Sequence, residues 1–150
     1  METFEIVNLK NELNKNRIND EYYNQIFKLL SNLTDAPTIS YIDFVNIIKN
    51  LPLNHNIYLY KCCDKIVGMI TLFIETKIIH GGNCVGHIED LVVDPEYRSN
   101  GIGKQLIEYV INISKNNNCY KIILTCNENL VNFYNKNGFF ISGHNMRYNL

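Results

Sequence analysis

The sequence predicts an α/β fold in which one mixed, mostly antiparallel sheet carries helices on both faces. Two patterns lead to this prediction. Apolar residues at helical spacing dominate the first part of the chain, and runs rich in β-branched and aromatic residues follow. Beyond residue 84, apolar runs alternate with helical patterns, which is typical of parallel strands joined by helices. The chain has 150 residues, 46% of them hydrophobic, and is expected to form one domain, 1–150, around a single core.

The N-terminal part predicts one short strand and two helices. The letters FEIVNL near the start are typical of a strand. In DEYYNQIFKLLSNL the apolar residues have helical spacing, Asp20 is the expected N-cap, and Pro37 prevents continuation. The segment SYIDFVNIIKN predicts a second helix that ends before Pro52 and has an apolar face made of Ile42, Val45 and Ile48.

The middle of the chain predicts a hairpin and a third strand. NIYLYKCC and KIVGMITLFIETKII are expected to be strands joined by a turn at Asp64–Lys65. The third apolar run, CVGHIEDLVVD, ends in a turn at Asp94–Pro95.

The last part predicts a helix, a strand, a short helix and a final strand. The first of these helices has Ile102, Leu106, Val110 and Ile113 on one face. CYKIILTC is apolar throughout, which predicts a strand buried on both faces. ENLVNFYNKNG predicts a short helix with Gly138 past its end, and FFISGHNMRYNL a closing strand.

Charge and composition exclude several classes of protein. The formal net charge of -1 gives no overall positive potential that would attract nucleic acid. No apolar run reaches the roughly 18 residues of a membrane span. The N-terminus lacks a basic start followed by an apolar stretch, so a cytoplasmic location is expected. The five cysteines include no C-x-x-C pair, so they are expected to be reduced, mostly buried thiols, and no metal site is expected.

The stretch DPEYRSNGIGKQLIEYV carries the main functional signal. A glycine-bearing loop at the start of a helix presents several free backbone N–H groups where the helix dipole is positive, and such sites bind diphosphates. Gly101 and Gly103 would let a ligand approach the main chain. The G-x-x-x-x-G-K-[ST] and G-x-G-x-x-G nucleotide motifs are both absent. A loop whose glycines serve only the turn remains an alternative.

The letters RSNGIG at 98–103 match the R/Q-x-x-G-x-G/A signature of the GNAT superfamily of N-acetyltransferases, which the chain resembles. With GHIEDLVVD, IGKQLIEYV, CYKIIL and FYNKNGF in this order, the resemblance is to the glucosamine-6-phosphate N-acetyltransferase family over residues 34–146. It implies the GNAT acyl-CoA N-acyltransferase fold and acetyl-CoA as cosubstrate. It also implies a bulged strand that diverges from its neighbour. The coenzyme contacts that it implies are Leu91, Val92, Val93, Ser99, Asn100, Gly101, Ile102, Gly103, Lys104, Tyr134, Asn135 and Lys136.

The resemblance also implies catalytic roles. Tyr134 would hydrogen-bond or protonate the leaving thiolate, although an aromatic residue on a helix can equally be core. Glu89 and Asp90, expected on opposite faces of their strand, would bind the sugar, with Glu89 the candidate to deprotonate the amine; either could instead pair with a lysine. The family has an acidic residue where this chain has Thr125, and an asparagine where it has Leu130, one position from Asn129. A nucleophilic Cys126 or Cys119 is a weaker alternative.

The implied contacts to the amino-sugar phosphate lie in four segments: Thr34, then Lys77, Ile78, Ile79 and His80, then Glu89 and Asp90, then Tyr120 and Lys121. The family's C-terminal arginine is replaced by Asn149, while Arg147 stands nearby. His87 and His144 are expected to be ordinary structural or surface histidines. The resemblance further implies a homodimer whose sugar sites borrow residues across the interface, and a reaction that feeds UDP-N-acetylglucosamine synthesis.

Two other functions stay open at this stage. A GNAT enzyme for a protein amine or a polyamine would share the coenzyme loop and differ in its acceptor pocket, and the Thr125 and Asn149 departures allow it. A non-catalytic acyl-CoA-binding module would keep the loop without turnover, but Tyr134 and the paired acids argue against it.

Overall fold

The computed structural model describes residues 3–150, and a five-stranded sheet forms its centre. The strand order is β1-β2-β3-β4-β5; the first four strands pair antiparallel, and β5 runs parallel to β4. The predicted mixed, mostly antiparallel sheet is therefore confirmed. The strands are β1 (Phe4–Asn8), β2 (His55–Cys62), β3 (Lys65–Thr76), β4 (Cys84–Val93) and β5 (Cys119–Ile123).

Helices cover both faces of this sheet, as predicted. On one face, α1, α2 and α3 enclose a core that includes Leu59 and Met69; on the other, α4 and α5 enclose a core that includes Leu72 and Leu106. Within residues 3–150 no helix has the length and apolar character needed to cross a bilayer. The helices are α1 (Leu9–Asn14), α2 (Asp20–Leu30), α3 (Tyr41–Asn50), α4 (Ile102–Asn116) and α5 (Val131–Lys136).

The N-terminal helices differ from the prediction in three respects. The sequence did not predict α1. The N-cap of α2 is Asn19, whose side chain accepts from the Tyr22 N–H at 2.9 Å, whereas Asp20 lies in the first turn. In α3 the predicted face is wrong at Ile42, which is 70% exposed, because the helix buries Phe44 instead, four residues before Ile48.

The hairpin turn lies one residue earlier than predicted. Cys62 pairs with Lys65, so the turn residues are Cys63, with φ of 54°, and Asp64. Strand β3 ends at Thr76, and the following residues form a loop instead of the predicted continuation of the strand.

The end of the chain contradicts two predictions. Strand β5 is an edge strand within residues 3–150, with exposed Tyr120 and Ile123, so the prediction that it is buried on both faces is wrong. The predicted closing strand is also wrong, because residues 139–150 form neither helix nor strand. A strand needs a neighbour that accepts its main-chain hydrogen bonds, and nothing in residues 3–150 pairs with this segment.

The five cysteines form no disulfide within residues 3–150, and most of them are not buried, contrary to the prediction. Only Cys62 is buried, and Cys63 is exposed. The other three are half-buried: Cys84, Cys119 and Cys126.

Candidate active site

The two parallel strands β4 and β5 separate partway along their length. Their pairing ends at His87 and Ile123, although β4 continues to Val93. On the other side of β4, the register with β3 shifts between the Thr71–Glu89 and Met69–Val92 pairs, which marks a bulge with Asp90 at φ of 52°. A bulge bends a strand and breaks its pairing. The second half of β4 therefore offers main-chain polar groups to a ligand in the gap, as the resemblance implied.

The loop after β4 forms a cradle of backbone N–H groups at the start of α4. Ser99 and Gly101 have φ values of 70° and 76°. Gly101 is the N-cap, and no side chain in the part of the chain that the structure describes caps the helix there. The first-turn N–H groups, including that of Lys104, have no intrahelical acceptor and lie at the positive end of the helix dipole. The Arg98 Nε donates to the Val93 carbonyl at 3.2 Å and fastens the loop to β4. These donors fit a diphosphate.

The structure favours glycine at positions 101 and 103 for different reasons. Gly101 takes a left-handed conformation that disfavours a side chain, and the nearest atom to a Cβ there would be a Gln105 side-chain nitrogen at 3.9 Å. A Cβ on Gly103 would lie 3.1 Å from the Phe133 ring and 3.8 Å from the Val93 side chain. The absence of a Cβ at Gly103 therefore lets α5 pack against the loop, and the expectation that a ligand approaches the main chain here stays a prediction.

That packing brings Tyr134 to the same end of the sheet as the loop. Its ring is 8% exposed and lies in the α4-side core, with Phe139 at 5.8 Å between ring centroids. Burial, and secondarily the Cys126 thiol, raises the pKa of the Tyr134 phenol. The phenol is therefore protonated at neutral pH, so packing in the core is compatible with a role as a proton donor.

Glu89 and Asp90 lie at the bulge, where the structure corrects one expectation. They were expected on opposite faces of a regular, apolar strand, but the left-handed conformation of Asp90 breaks the alternation, and both residues are exposed. Neither carboxylate therefore needs a lysine partner to offset burial. Opposite Glu89, the buried Thr71 Oγ1 has no hydrogen-bond partner within residues 3–150.

The residues predicted to contact the sugar phosphate are only partly brought together. The rings of His80 and Tyr120 lie 4.3 Å apart between centroids, and the Lys121 Nζ lies 5.5 Å from the centroid of the Tyr120 ring. The Lys77 ammonium pairs with the Glu75 carboxylate. Ile78 and Ile79 are exposed beside this cluster.

Other predicted residues lie at the margins. Thr34 lies in the loop after α2, where its N–H donates to the Leu30 carbonyl at 3.3 Å, and no contact described for residues 3–150 joins it to the His80 cluster. Asn135 and Lys136 are exposed on the last turn of α5. The Arg147 Nε donates to the Asn149 Oδ1 at 2.7 Å, so the residue that replaces the family's arginine contacts the arginine nearby.

The environment of Cys119 disfavours the alternative in which this cysteine is the nucleophile. Burial, and secondarily Cys84, raises the pKa of the Cys119 thiol, so this group is protonated and a poor nucleophile at neutral pH. Within residues 3–150, no group of three or more His, Cys, Asp or Glu side chains is arranged to hold a metal ion.

The sequence interpretation missed one pair beside the site. The His87 Nε2 lies 3.0 Å from a Glu75 carboxylate oxygen, whereas His87 was expected to be an ordinary histidine. The available signal was the two-residue period of strands, which places His87 on the same face of β4 as Glu89.

This end of the sheet has the features of an acyl-CoA-dependent acyltransferase site. They are the diverging strands β4 and β5, the loop of N–H groups that fits a diphosphate, and the buried Tyr134. The Acetyltransferase (GNAT) family matches residues 20–139. The chain belongs to this family, and within it to the glucosamine 6-phosphate N-acetyltransferases.

Three relatives illustrate the similarity. The Trypanosoma brucei brucei glucosamine 6-phosphate N-acetyltransferase is 40% identical over 126 residues, which are 82% of this chain and 86% of the relative. The Candida albicans enzyme of the same name is 35% identical over 79% of this chain and 83% of its own length. The crystal structure of glucosamine-6-phosphate N-acetyltransferase from Arabidopsis thaliana superposes with a TM-score of 0.84 at 27% identity and covers 98% of both chains.

Proposed function

We propose that this protein transfers the acetyl group of acetyl-CoA to the 2-amino group of D-glucosamine 6-phosphate, which yields N-acetyl-D-glucosamine 6-phosphate and CoA. The observation that carries the proposal is the gap between β4 and β5, which begins beside His87 and reaches the N–H cradle at the start of α4. The relatives' names supply the identity of the acceptor.

Each part of the site has a role in this reaction. The N–H groups of residues 99–104 hold the diphosphate of the coenzyme, and the free edge of Leu91–Val93 binds its pantetheine arm as a neighbouring strand would. Acetyl-CoA supplies an activated acyl group. Tyr134 donates a proton to the leaving thiolate, and Glu89 takes a proton from the amine. The amine attacks directly, without an acetyl-enzyme.

The acceptor side is formed by the cluster of His80, Tyr120 and Lys121. Lys121 and the ring pair provide a cation and a flat apolar surface, which suit a sugar phosphate. Lys77 contributes less charge than its sequence position suggests, because Glu75 neutralises it.

A thiol-release assay tests this function. We expect CoA thiol to appear from acetyl-CoA with glucosamine 6-phosphate, and far more slowly with glucosamine, which lacks the phosphate. Release with peptides or polyamines only would contradict the sugar phosphate as acceptor and favour another GNAT activity. No release with any amine would favour an acyl-CoA-binding module.

We also propose that the enzyme is a cytoplasmic homodimer that feeds UDP-N-acetylglucosamine synthesis. Residues 139–150 leave Phe140 and Ile141 each 78% exposed, Met146 92% and Tyr148 88% exposed. Among residues 3–150, β5 also has an open edge with exposed Ile123. Such surfaces are costly in water and suited to association with a second copy.

Truncation tests the dimer. We expect a chain ending at Phe139 to be monomeric by light scattering, because it lacks the exposed apolar tail, and to lose most of its acetyltransferase activity. The matched control replaces only the exposed Asn145 with serine and is expected to stay dimeric. A full-length protein that is monomeric at assay concentration would contradict the proposal.

A further inference from the structure

His87 and Glu75 form a carboxylate–imidazole pair on the sheet face that carries Glu89. The His87 Nε2 lies 3.0 Å from the Glu75 Oε2, and the other carboxylate oxygen of Glu75 accepts from Lys77. These bonds, first that from Lys77 and then that from His87, lower the pKa of the Glu75 carboxyl group. An ionised carboxylate only accepts hydrogen bonds, so the His87 Nε2 carries the hydrogen.

The second ring nitrogen of His87 is therefore the basic one. In a neutral imidazole with hydrogen on Nε2, Nδ1 holds a free lone pair, and the carboxylate at Nε2 stabilises the imidazolium that forms when Nδ1 is protonated. The side chain is 26% exposed, so protons can exchange with solvent. No hydrogen bond to Nδ1 occurs within residues 3–150.

The position of this pair connects it to the acceptor amine. His87 and Glu89 are two residues apart on β4, which separates their backbones by about 7 Å along the strand. An extended glutamate side chain and one water are together long enough to bridge a separation of that size.

We propose that His87, oriented by Glu75, receives through Glu89 the proton that the acceptor ammonium must lose. In this step an N–H bond of the ammonium breaks, and the Glu89 carboxylate takes the proton. Glu89 passes it to the His87 Nδ1, and the imidazolium releases it to water, so that the amine is left neutral and both residues return to their starting state. Glu75 is a positioning residue. The proposal rests on the proposed transfer to an amine.

Other charged and titratable groups share this face and are held constant in the test. Lys77 pairs with Glu75, and Lys121 pairs in register with Val85, two residues before His87. His55 lies on β2, with its ring 6.2 Å from Phe73, which in turn lies 5.8 Å from His87. His55 has no carboxylate partner within residues 3–150, so His55→Gln is the matched control.

The value of kcat/KM at neutral pH is the first test. Glutamine keeps a donor near the Nε2 position without the basic nitrogen, so His87→Gln is expected to lose about tenfold in kcat/KM, a modest share of general-base catalysis. Glu75→Gln should lose part of the same rate, because the His87 ring loses the carboxylate that orients it, and His55→Gln should keep the wild-type value. A wild-type kcat/KM in His87→Gln would overturn the proposal.

A second measurement needs no turnover and so separates this proposal from the proposed function. Nitrogen chemical shifts of the histidine rings report which nitrogen carries the hydrogen. We expect neutral His87 in the Nε2–H form, and loss of that preference in Glu75→Gln. A wild-type His87 with hydrogen on Nδ1 would overturn the relay even in an active enzyme.

Discussion

Replacing Tyr134 by phenylalanine is expected to lower kcat by about 100- to 1000-fold, the range of a lost general acid. The substitution removes only the hydroxyl group, so the ring keeps its buried contacts with Phe133 and Phe139. The affinity for CoA and the melting temperature should change little. Steady-state kinetics together with calorimetric CoA binding separate these effects.

The raised pKa of the Tyr134 phenol also predicts how kcat depends on pH. Burial raises the pKa of the Tyr134 phenol above its ordinary value, so the proton that it donates is present at neutral pH and is lost only in strongly alkaline solution. We therefore expect no alkaline decline from this group below about pH 10.

The control is Tyr58→Phe. Tyr58 is also buried, with its phenol pKa raised by burial, but it lies on β2 against Tyr109 of α4. Its kcat should stay near the wild-type value. Equal losses in both variants would show that buried tyrosine hydroxyls matter only for folding.

Replacing Lys104 by proline is expected to weaken CoA binding by about tenfold to a hundredfold. Proline removes one N–H group in the first turn of α4, where helices tolerate it, and a hydrogen bond to a charged group contributes about 1.5–3 kcal/mol. Gly103 precedes this position and lacks the Cβ that would clash with the proline ring. Isothermal titration calorimetry measures the change.

Lys104→Ala separates the backbone from the side chain. The Lys104 side chain is 63% exposed and lies 3.7 Å from Glu108, an exposed pair on the same helix. Alanine keeps the N–H group, so its CoA affinity should fall by less than about threefold, as expected for one screened surface charge. If alanine weakens binding as much as proline, the side chain and not the main chain holds the coenzyme.

The sequence predicted those parts of the molecule that local patterns determine. The apolar spacing of Ile102, Leu106 and Val110 matches the buried face of α4, and the glycine-bearing loop lies at its start. The hairpin also followed from composition, although the paired Cys62 and Lys65 place its turn one residue earlier.

What local patterns did not predict depends on long-range pairing. The left-handed conformation of Asp90 arises where the register of β3 and β4 shifts, and no property of its neighbours in sequence indicates it. Residues 139–150 can form a strand only beside a partner strand. Their apolar, β-favouring composition predicted a strand, but residues 3–150 supply no partner and the strand is not formed. The contact between His87 and Glu75 likewise could be predicted only if the pairing of β3 with β4 were known.

The most direct measurement is a calorimetric comparison of CoA with pantetheine, which carries the same thiol arm without the diphosphate and the adenosine 3′-phosphate. If the main chain between Arg98 and Lys104 grips the diphosphate, CoA binds at least about 100-fold more tightly, equivalent to about 2.7 kcal/mol. Equal affinities for the two compounds, or no heat from CoA with folded protein, would contradict the account.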